Sequence, residues 1–425
     1  MNNHIFALFS ALFLVVAVPS SQASESVTLA EYLSQALSGN DALQTARTDF
    51  LVSTEKSRQS GVLPDPKLAL QYYLEPIETR TGPQNASIAI SQALPWFNKL
   101  SLTQELSEHD TAIAAAGLAA VELDVTRQVK EAYIEYGFLS RSQQTIRDNI
   151  ELLRYLEEVA RTRYAGGKTT FFDVLKIQIE LSQSEEKSLA LIDQEQPIRV
   201  HINSLLGTEP ERTRTLPGNI PQVLLSKDEA EIHFLTLSKS PLLQSAQESI
   251  AKARTARELA EKDFYPDFNV SLKTILTGSA EFGNPADSGK DPVIAGLSFN
   301  LPIFWDRRYG AVAEKKAQIR SAQSFQRLQL RLLRTKVERS LYAYREAHRK
   351  FLLYREDLLP KVKQQLEVAV NGFQSGETSI LELIDAQKNL LVFELAESRA
   401  LADRALAVAR LESQAGTTLA DWNKN

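Results

Sequence analysis

Residues 118–139 read LAAVELDVTRQVKEAYIEYGFL, and the apolar members Leu118, Val121, Val125, Val129, Ala132, Tyr136 and Leu139 step by three and four. The mean step of about 3.5 residues is the repeat of a coiled-coil seam, not of a strand. No proline interrupts the surrounding stretch from Lys99 to Arg163. A helix of roughly 65 residues, at about 1.5 Å each, extends about 100 Å, and a rod of that length does not fit a compact domain. Leu330, Leu333, Val337, Leu341 and Tyr344 repeat the pattern in a second predicted long helix over 307–371.

The two helices belong to a larger duplication, because the chain matches itself at an offset of roughly 200 to 210 residues. Asp41-Ala-Leu-Gln-Thr-Ala resembles Pro241-Leu-Leu-Gln-Ser-Ala, and Pro64-Asp65 pairs with Pro266-Asp267. Leu94-Pro95-Trp96-Phe97 pairs with Leu301-Pro302-Ile303-Phe304. Tyr164-Ala-Gly-Gly-Lys-Thr pairs with Phe373-Gln-Ser-Gly-Glu-Thr, followed by Gln178 and Leu181 against Gln387 and Leu390, and by Gly207 against Gly416. The first structural repeat therefore covers 24–222, with a strand pair over 67–94 and a helical-hairpin tip near 164–170. The second covers 223–425, with a strand pair over 268–301 and a tip near 373–379.

Each strand pair alternates with period two, the signature of a surface that meets a different solvent on each side. Phe268, Val270 and Leu272 alternate with Asn269, Ser271 and Lys273; Val293, Ala295, Leu297, Phe299 and Leu301 alternate with Ile294, Gly296, Ser298 and Asn300. Leu68, Leu70, Tyr72 and Leu74, then Ile88 and Ile90, repeat this in the first half. The segments Glu75 to Asn85 and Thr277 to Pro292, rich in Gly, Pro, Asn and Asp, read as hairpin loops. The return path is expected as helices from Thr170 to Leu206 and Glu231 to Lys262 with a break over Gly207 to Pro221, and in the second repeat as Ile380 to Gln414 with Leu29 to Ser60.

Composition bounds the function. With 48 basic against 53 acidic residues there is no electrostatic footprint for nucleic acid. Cysteine is absent, which removes disulfides, thiolate metal sites and a lipid-anchor acceptor. Residues 1–23 read as a secretory signal peptide, with the apolar run Ile5 to Val18 and the small-x-small Ser21-Gln22-Ala23, and no later stretch is long and apolar enough for a spanning helix. Gly167-Lys168-Thr169 imitates a phosphate-binding loop, but Thr162 stands where that loop needs glycine. Glu108-His109-Asp110 points in three directions on a helix and reads as a solvated face. No catalytic set, resident metal site or cofactor is expected.

Four strands cannot close a membrane barrel, since eight is the smallest closed set, and eight leave an interior filled by side chains. An open conduit therefore calls for three copies and twelve strands. The expected fold is an α+β membrane protein, a trimeric 12-stranded outer-membrane β-barrel continuous with a long periplasmic α-helical coiled-coil barrel. Trp96, Phe97, Phe264, Tyr265, Phe304 and Trp305 cluster where strands become helices, either as an aromatic girdle at the membrane interface or as staples between strand and helix.

On these features the chain resembles, over nearly its whole mature length, the TolC family of outer-membrane channels that serve tripartite efflux and secretion systems. The most specific elements are residues 166–181, GGKTTFFDVLKIQIEL, and 375–390, SGETSILELIDAQKNL, which are similar to the repeated G-x-x-x-x-x-D-V-L pattern of that family. The resemblance implies that Tyr164, Gly167, Thr169, Phe373, Gly376 and Thr378 lie at the periplasmic tip where an adaptor protein docks. It also implies that Asp173, Glu382 and Asp385 ring the closed aperture as a periplasmic gate. Glu382 stands where Asp is common, and Thr378 where an Arg can brace the closed state, so a different set of closing contacts is expected. Nine carboxylates in a trimeric throat would favour cations and hold off anions; the alternative is that these acids simply cap their helices.

Leu63-Pro64-Asp65-Pro66, with Ile90-Ser-Gln-Ala-Leu-Pro-Trp and Lys99, resembles the metal-cation branch of the family, whose partner is a resistance-nodulation-division pump in the inner membrane. The expected function is a passive export duct of a homotrimer in outer-membrane lipid, docked by a periplasmic adaptor. Drug efflux and type I secretion would use a similar duct. A soluble periplasmic coiled-coil scaffold, with the alternating segments in an ordinary sheet, is the rival from another class.

Overall fold

The structure is a computed structural model and describes residues 28–283 and 285–422; the leader over 1–23 lies outside the described residues. The element order runs the same course twice. In the first half α1 (Leu29–Gly39) and α2 (Asp41–Gln59) lead into β1 (Lys67–Ile77) and β2 (Gln84–Leu94), then α3 (Lys99–Ala165), α4 (Phe171–Asp193) and α5 (Glu195–Leu205). In the second, α6 (Glu229–Lys239), α7 (Pro241–Lys262), β3 (Phe268–Thr277) and β4 (Val293–Phe299) are followed by α8 (Trp305–Leu352), α9 (Leu359–Ser375) and α10 (Ile380–Ala415).

The 67 residues of α3 form one helix, about 100 Å long at 1.5 Å per residue. Its seam is buried as expected at Val125, Val129, Ala132, Tyr136 and Leu139. These pack with Tyr32, Ala36, Ile202 and Leu206 from α1 and the end of α5. The second long helix is not uniform: a π-helical turn over Leu353–Leu358 joins α8 to α9. Pro360 supplies the reason, since it has no N–H for the carbonyl one turn earlier, and a widened turn absorbs the missing bond.

Three expected single helices are each broken, the one over Thr170 to Leu206 only by a helical turn at Gln194 between α4 and α5. The stretch from Leu29 to Ser60 divides at Asn40, and the stretch to Lys262 divides at Ser240, both residues being extended. Asn40 accepts from the Leu43 N–H at 3.1 Å and donates to the Leu205 carbonyl at 2.8 Å, so one amide starts α2 and ties it to the end of α5. A Cβ at Gly207 would lie 1.9 Å from the Gly39 carbonyl, which is why glycine closes that contact. At Ser240 the following Pro241 occupies the first helical position, where its missing N–H costs nothing.

The strands form one antiparallel sheet in the order β1-β2-β3-β4, with both edges open within the chain. The β1–β2 hairpin is tighter than the loop expected over Glu75 to Asn85: pairing resumes at Ile77 with Gln84 after a register break beyond Tyr72, with Pro76 inside the break. A proline cannot donate to the ladder, so it sits where pairing is interrupted. The β3–β4 connection begins after Thr277 and ends before Val293, as expected.

One buried ion pair links the long helix to the chain end. Lys130 Nζ lies 2.6 Å from Glu412 Oε2, with side chains 8% and 7% exposed. Glu412 also accepts from the N–H groups of Leu419 (2.8 Å) and Ala420 (3.2 Å) and from the Trp422 indole (2.9 Å). Such a pair is tolerable in the interior because every lone pair has a partner.

Candidate functional site

The sheet carries the first candidate surface. Leu68, Leu70, Tyr72 and Leu74 of β1, Ile88 and Ile90 of β2, Val270, Leu272 and Leu276 of β3, and Val293, Leu297 and Phe299 of β4 are all exposed. The register aligns them across strands, Leu70 with Ile88 and Ile90 with Leu272. Val270 faces Leu297 in the same way. They form one continuous apolar face. The opposite face holds Gln71, Ser87, Ser91, Ser271 and Lys273; Ser87 donates to Gln71 Oε1 at 3.0 Å and Lys273 Nζ lies 3.3 Å from the same oxygen. An apolar face of this extent on the outside of a protein marks contact with lipid or another chain.

Below the sheet the expected aromatic cluster is present as two groups. Trp96 stacks on Tyr265 at 4.9 Å and on Phe268 at 5.6 Å, and meets Phe97 edge-on at 5.5 Å. Phe264 packs against Trp305 at 5.6 Å and Tyr309 at 5.3 Å. Phe304 is exposed beside them, and Arg308 donates to its carbonyl at 3.0 Å. Asp267, which the sequence reading treats only as a repeat marker, is the hub of this joint. It accepts from the Trp96 N–H at 2.7 Å and from Lys99 Nζ at 3.1 Å, while its own N–H donates to Asn300 at 2.5 Å. Asp263 adds a second carboxylate to Lys99 at 2.9 Å, so one ammonium group ties α3 to the turn ahead of β3.

At the far end of the helices the two tips lie side by side over a shared core of Leu153, Leu156, Val174, Ile177, Phe373 and Leu383. Gly167 adopts φ 65° and Gly376 φ 96°, the left-handed conformation that ends each helix. The N–H groups of Gly376, Glu377 and Thr378 all converge on the Gly372 carbonyl, at 2.9, 2.8 and 3.0 Å. Thr378 closes this turn so tightly that a Cβ on Gly372 would lie 2.1 Å from its hydroxyl. Arg163, unremarked in the sequence, joins the tips: it donates to the Gln374 carbonyl and, at 3.2 Å, to that of Lys168, and lies over the Phe373 ring at 5.1 Å.

These contacts give three of the expected tip residues local structural roles. Phe373 is only 3% exposed, so it supports the turn from beneath and presents no docking surface, whereas Tyr164 is exposed and packs on Phe171 at 5.6 Å. Asp173 accepts from the N–H and hydroxyl of Thr170 at 3.0 Å each, and from the Thr169 hydroxyl. Glu382 accepts from the Ser379 N–H at 2.9 Å and its hydroxyl at 3.0 Å. Both acids are therefore the third residue of a capping box, a local role that accounts for their matched positions. Partial burial would raise the Asp173 pKa, but the Thr169 and Thr170 hydrogen bonds and the nearby Arg163 outweigh it, and the carboxyl is held below its ordinary value. The Ser379 N–H and hydroxyl lower Glu382 in the same way. Asp385 is exposed one turn further on, hydrogen-bonded to Asn389 at 3.2 Å.

The Glu108-His109-Asp110 triplet is not simply a solvated face. His109 lies 2.8 Å from Glu248 and Asp110 pairs with Lys252, so two of the three residues bolt α3 to α7. Among the described residues there is no cluster of three or more side chains that could hold a metal, and no helix long and apolar enough to cross a membrane.

The profile of the outer membrane efflux protein family matches the sequence in two segments, residues 32–208 and 235–417. The chain belongs to that family. The cobalt-zinc-cadmium resistance protein CzcC of Cupriavidus metallidurans is 24% identical over 380 residues, spanning 88% of this chain and 87% of CzcC. The pyoverdine export outer membrane protein OpmQ of Pseudomonas aeruginosa is 22% identical over 302 residues, 70% of this chain and 61% of OpmQ. Among solved structures, the outer membrane protein VceC of Vibrio cholerae superposes with a TM-score of 0.76 at 19% identity, covering 92% of this chain and 96% of VceC. As a member of the family the protein is an outer-membrane efflux channel with a periplasmic extension, and the family is one of channels, not of enzymes. The sheet supplies the exposed apolar face of that channel, and among the described residues no helix is long and apolar enough to cross a membrane.

Proposed function

We propose that three copies of this chain close a twelve-stranded barrel in the outer membrane, and that the trimer is the passive exit duct of a tripartite efflux system for divalent metal cations. The observation that carries this reading is the sheet itself: four strands, apolar on one face and polar on the other, with both edges open. Open, long, apolar edges are costly unless another chain pairs with them, and β4 of one copy against β1 of the next satisfies both. Continuing the sheet in this way turns the apolar face to lipid and the polar face to water. The likeness to CzcC supports the metal cargo; energy comes from an inner-membrane pump of the resistance-nodulation-division type, coupled through a periplasmic adaptor. The exposed Tyr164, Gly167 and Gly376, with the half-buried Thr169 and Thr378 beside them, are the docking site for that adaptor. The tip acids Asp173, Glu382 and Asp385 make the cation-favouring gate; Asp173 and Glu382 also close their own caps, so Asp385 is the one that can be replaced without loosening a cap.

Purification from outer membranes in detergent, with mass measurement and single-channel recording, tests the reading. A trimer that conducts is expected, and a monomer that stays in solution without detergent and does not conduct would remove it. Deleting the gene should raise sensitivity to cobalt, zinc or cadmium; unchanged metal sensitivity with raised sensitivity to an organic toxin would reassign the cargo while leaving the duct. Asp385→Ala should weaken cation preference and block by multivalent cations, and unchanged selectivity would count against its role in the gate.

A further inference from the structure

Across all paired positions of the sheet, two residues carry charge, and both are lysines: Lys67 and Lys273. Both fall on the polar face. Lys67 pairs with Ser91, and Lys273 pairs with Ala89, which in turn faces Ala69. The two lysines thus occupy adjacent rows of one face, about 7 Å apart along the strands. Lys273 is held by the neutral Gln71 oxygen at 3.3 Å, and that oxygen also accepts from Ser87. The tether fixes the side chain without neutralising it. Lys67 is flanked by Ser91, Ser271 and Ala69, none large enough to cover an ammonium group, while Lys273 has Ala89 on one side and Ile294, an uncharged side chain that is itself exposed, on the other. The nearest acids on β1 lie outside the regular ladder, Asp65 two residues before the strand and Glu75 within the register break.

We propose that Lys67, at the helix-side end of the sheet, and Lys273, midway along it, make the barrel section of the duct an anion-selecting collar, the element that sets its preference for small multivalent anions. The inference rests on the three-copy barrel proposed above, in which these residues become six ammonium groups in two rings. Twelve strands about 4.8 Å apart, tilted about 40°, close a ring roughly 24 Å across between backbones. Side chains narrow that bore from all sides, so the axis lies within about one Debye length of the ammonium groups, close to 8 Å at 0.15 M salt. The low-dielectric wall focuses the field inward. The collar lowers the resting concentration of free divalent cations in the barrel and raises that of anions, so the cation cargo proposed above passes it outward only under the gradient that the pump maintains. Because the tip carries acids and the barrel carries lysines, the duct is two filters of opposite sign in series, and multivalent anions meet different barriers from its two ends.

The test is block of single-channel current by inorganic tripolyphosphate, added to either side of a planar bilayer holding the full-length protein. Wild type is expected to be blocked from the extracellular side, and Lys67→Gln with Lys273→Gln to need roughly tenfold more blocker. The difference should vanish in about 1 M salt, where the Debye length is about 3 Å. Lys273→Arg should retain the block. Equal block in wild type and the double Gln variant, or loss of block in Lys273→Arg equal to that in Lys273→Gln, would overturn the collar. A wild-type protein that forms no channel at all would instead bring down the barrel reading, and the collar with it.

Discussion

The sheet and the helical body of this chain place apolar residues by opposite rules. In the sheet Leu68, Leu70, Leu272 and Leu297 are exposed while Ser87 is buried. In the body Leu156, Ile177, Leu383 and Val408 are buried, and the exposed apolar side chains, such as Leu189, Phe234 and Val368, are scattered among charged ones. On the barrel reading proposed above, one chain obeys both rules because it meets two solvents, lipid around the strands and water around the helices. The energetic weak points differ accordingly: a charge is costly inside the body and on the outside of the sheet.

The largest expected effect lies in the body. Glu412→Ala leaves Lys130 buried without its partner and strands the N–H groups of Leu419, Ala420 and the Trp422 indole. Breaking a buried pair in this way costs about 3–5 kcal/mol, to be read as a lower melting temperature of the helical signal in detergent. A loss below about 1 kcal/mol would mean that water reaches this pair and that the interior there is not dry. The next effect lies in the sheet. Leu272→Arg puts a charge on the apolar face, at about 2–4 kcal/mol near the bilayer midplane, and should deplete the protein from the outer-membrane fraction. Ser271→Arg, one residue away on the opposite face, should be recovered there in near-normal amount. If the two variants were depleted equally, the two faces would not see different solvents.

The comparison also explains how much was legible in the sequence. Periods of 2 and about 3.5 residues mark strands and helices in either solvent, so the four strands and the bounds of α3 and α10 could be read directly. The breaks at Asn40 and Ser240 could not, because each depends on what packs there: the turn at Gly207 presses on Gly39, and a Cβ at Gly416 would lie 2.7 Å from the Lys239 carbonyl. The sequence shows the glycines but not their partners. Pro360 warned of an irregular helix, though not that a π-helical turn would carry the helix past it. At the site, the aromatic cluster was legible from its composition. Asp267, Lys130 and Arg163 were not, since their partners lie 168, 282 and 211 positions away. The capping role of the tip acids was legible as one of two alternatives, and Thr170 and Ser379, three residues before Asp173 and Glu382, spell the capping box that the structure shows.

The smallest effects separate the tips from the body that carries them. Ser379→Ala removes one cap, at about 1 kcal/mol, and should speed amide exchange in the first turn of α10 without moving the global melting temperature. Acid should do the same at both tips. The carboxyls of Asp173 and Glu382 are held below their ordinary values when folded, so their stabilisation is complete above the unfolded value near pH 4 and disappears as pH falls through the lowered folded value. Protection of the amides at the two tips, taken relative to the intrinsic exchange rate at each pH and compared at neutral pH and near pH 3, should therefore fall more than in the buried stretch around Leu153 and Leu156. Asp173→Asn should remove most of that acid sensitivity from the first tip and leave it at the second, because each box is closed by its own residues. If the variant changed both tips equally, the link through Arg163, which bridges Lys168 and Gln374, would be the stronger coupling, and the tips would open as a single unit.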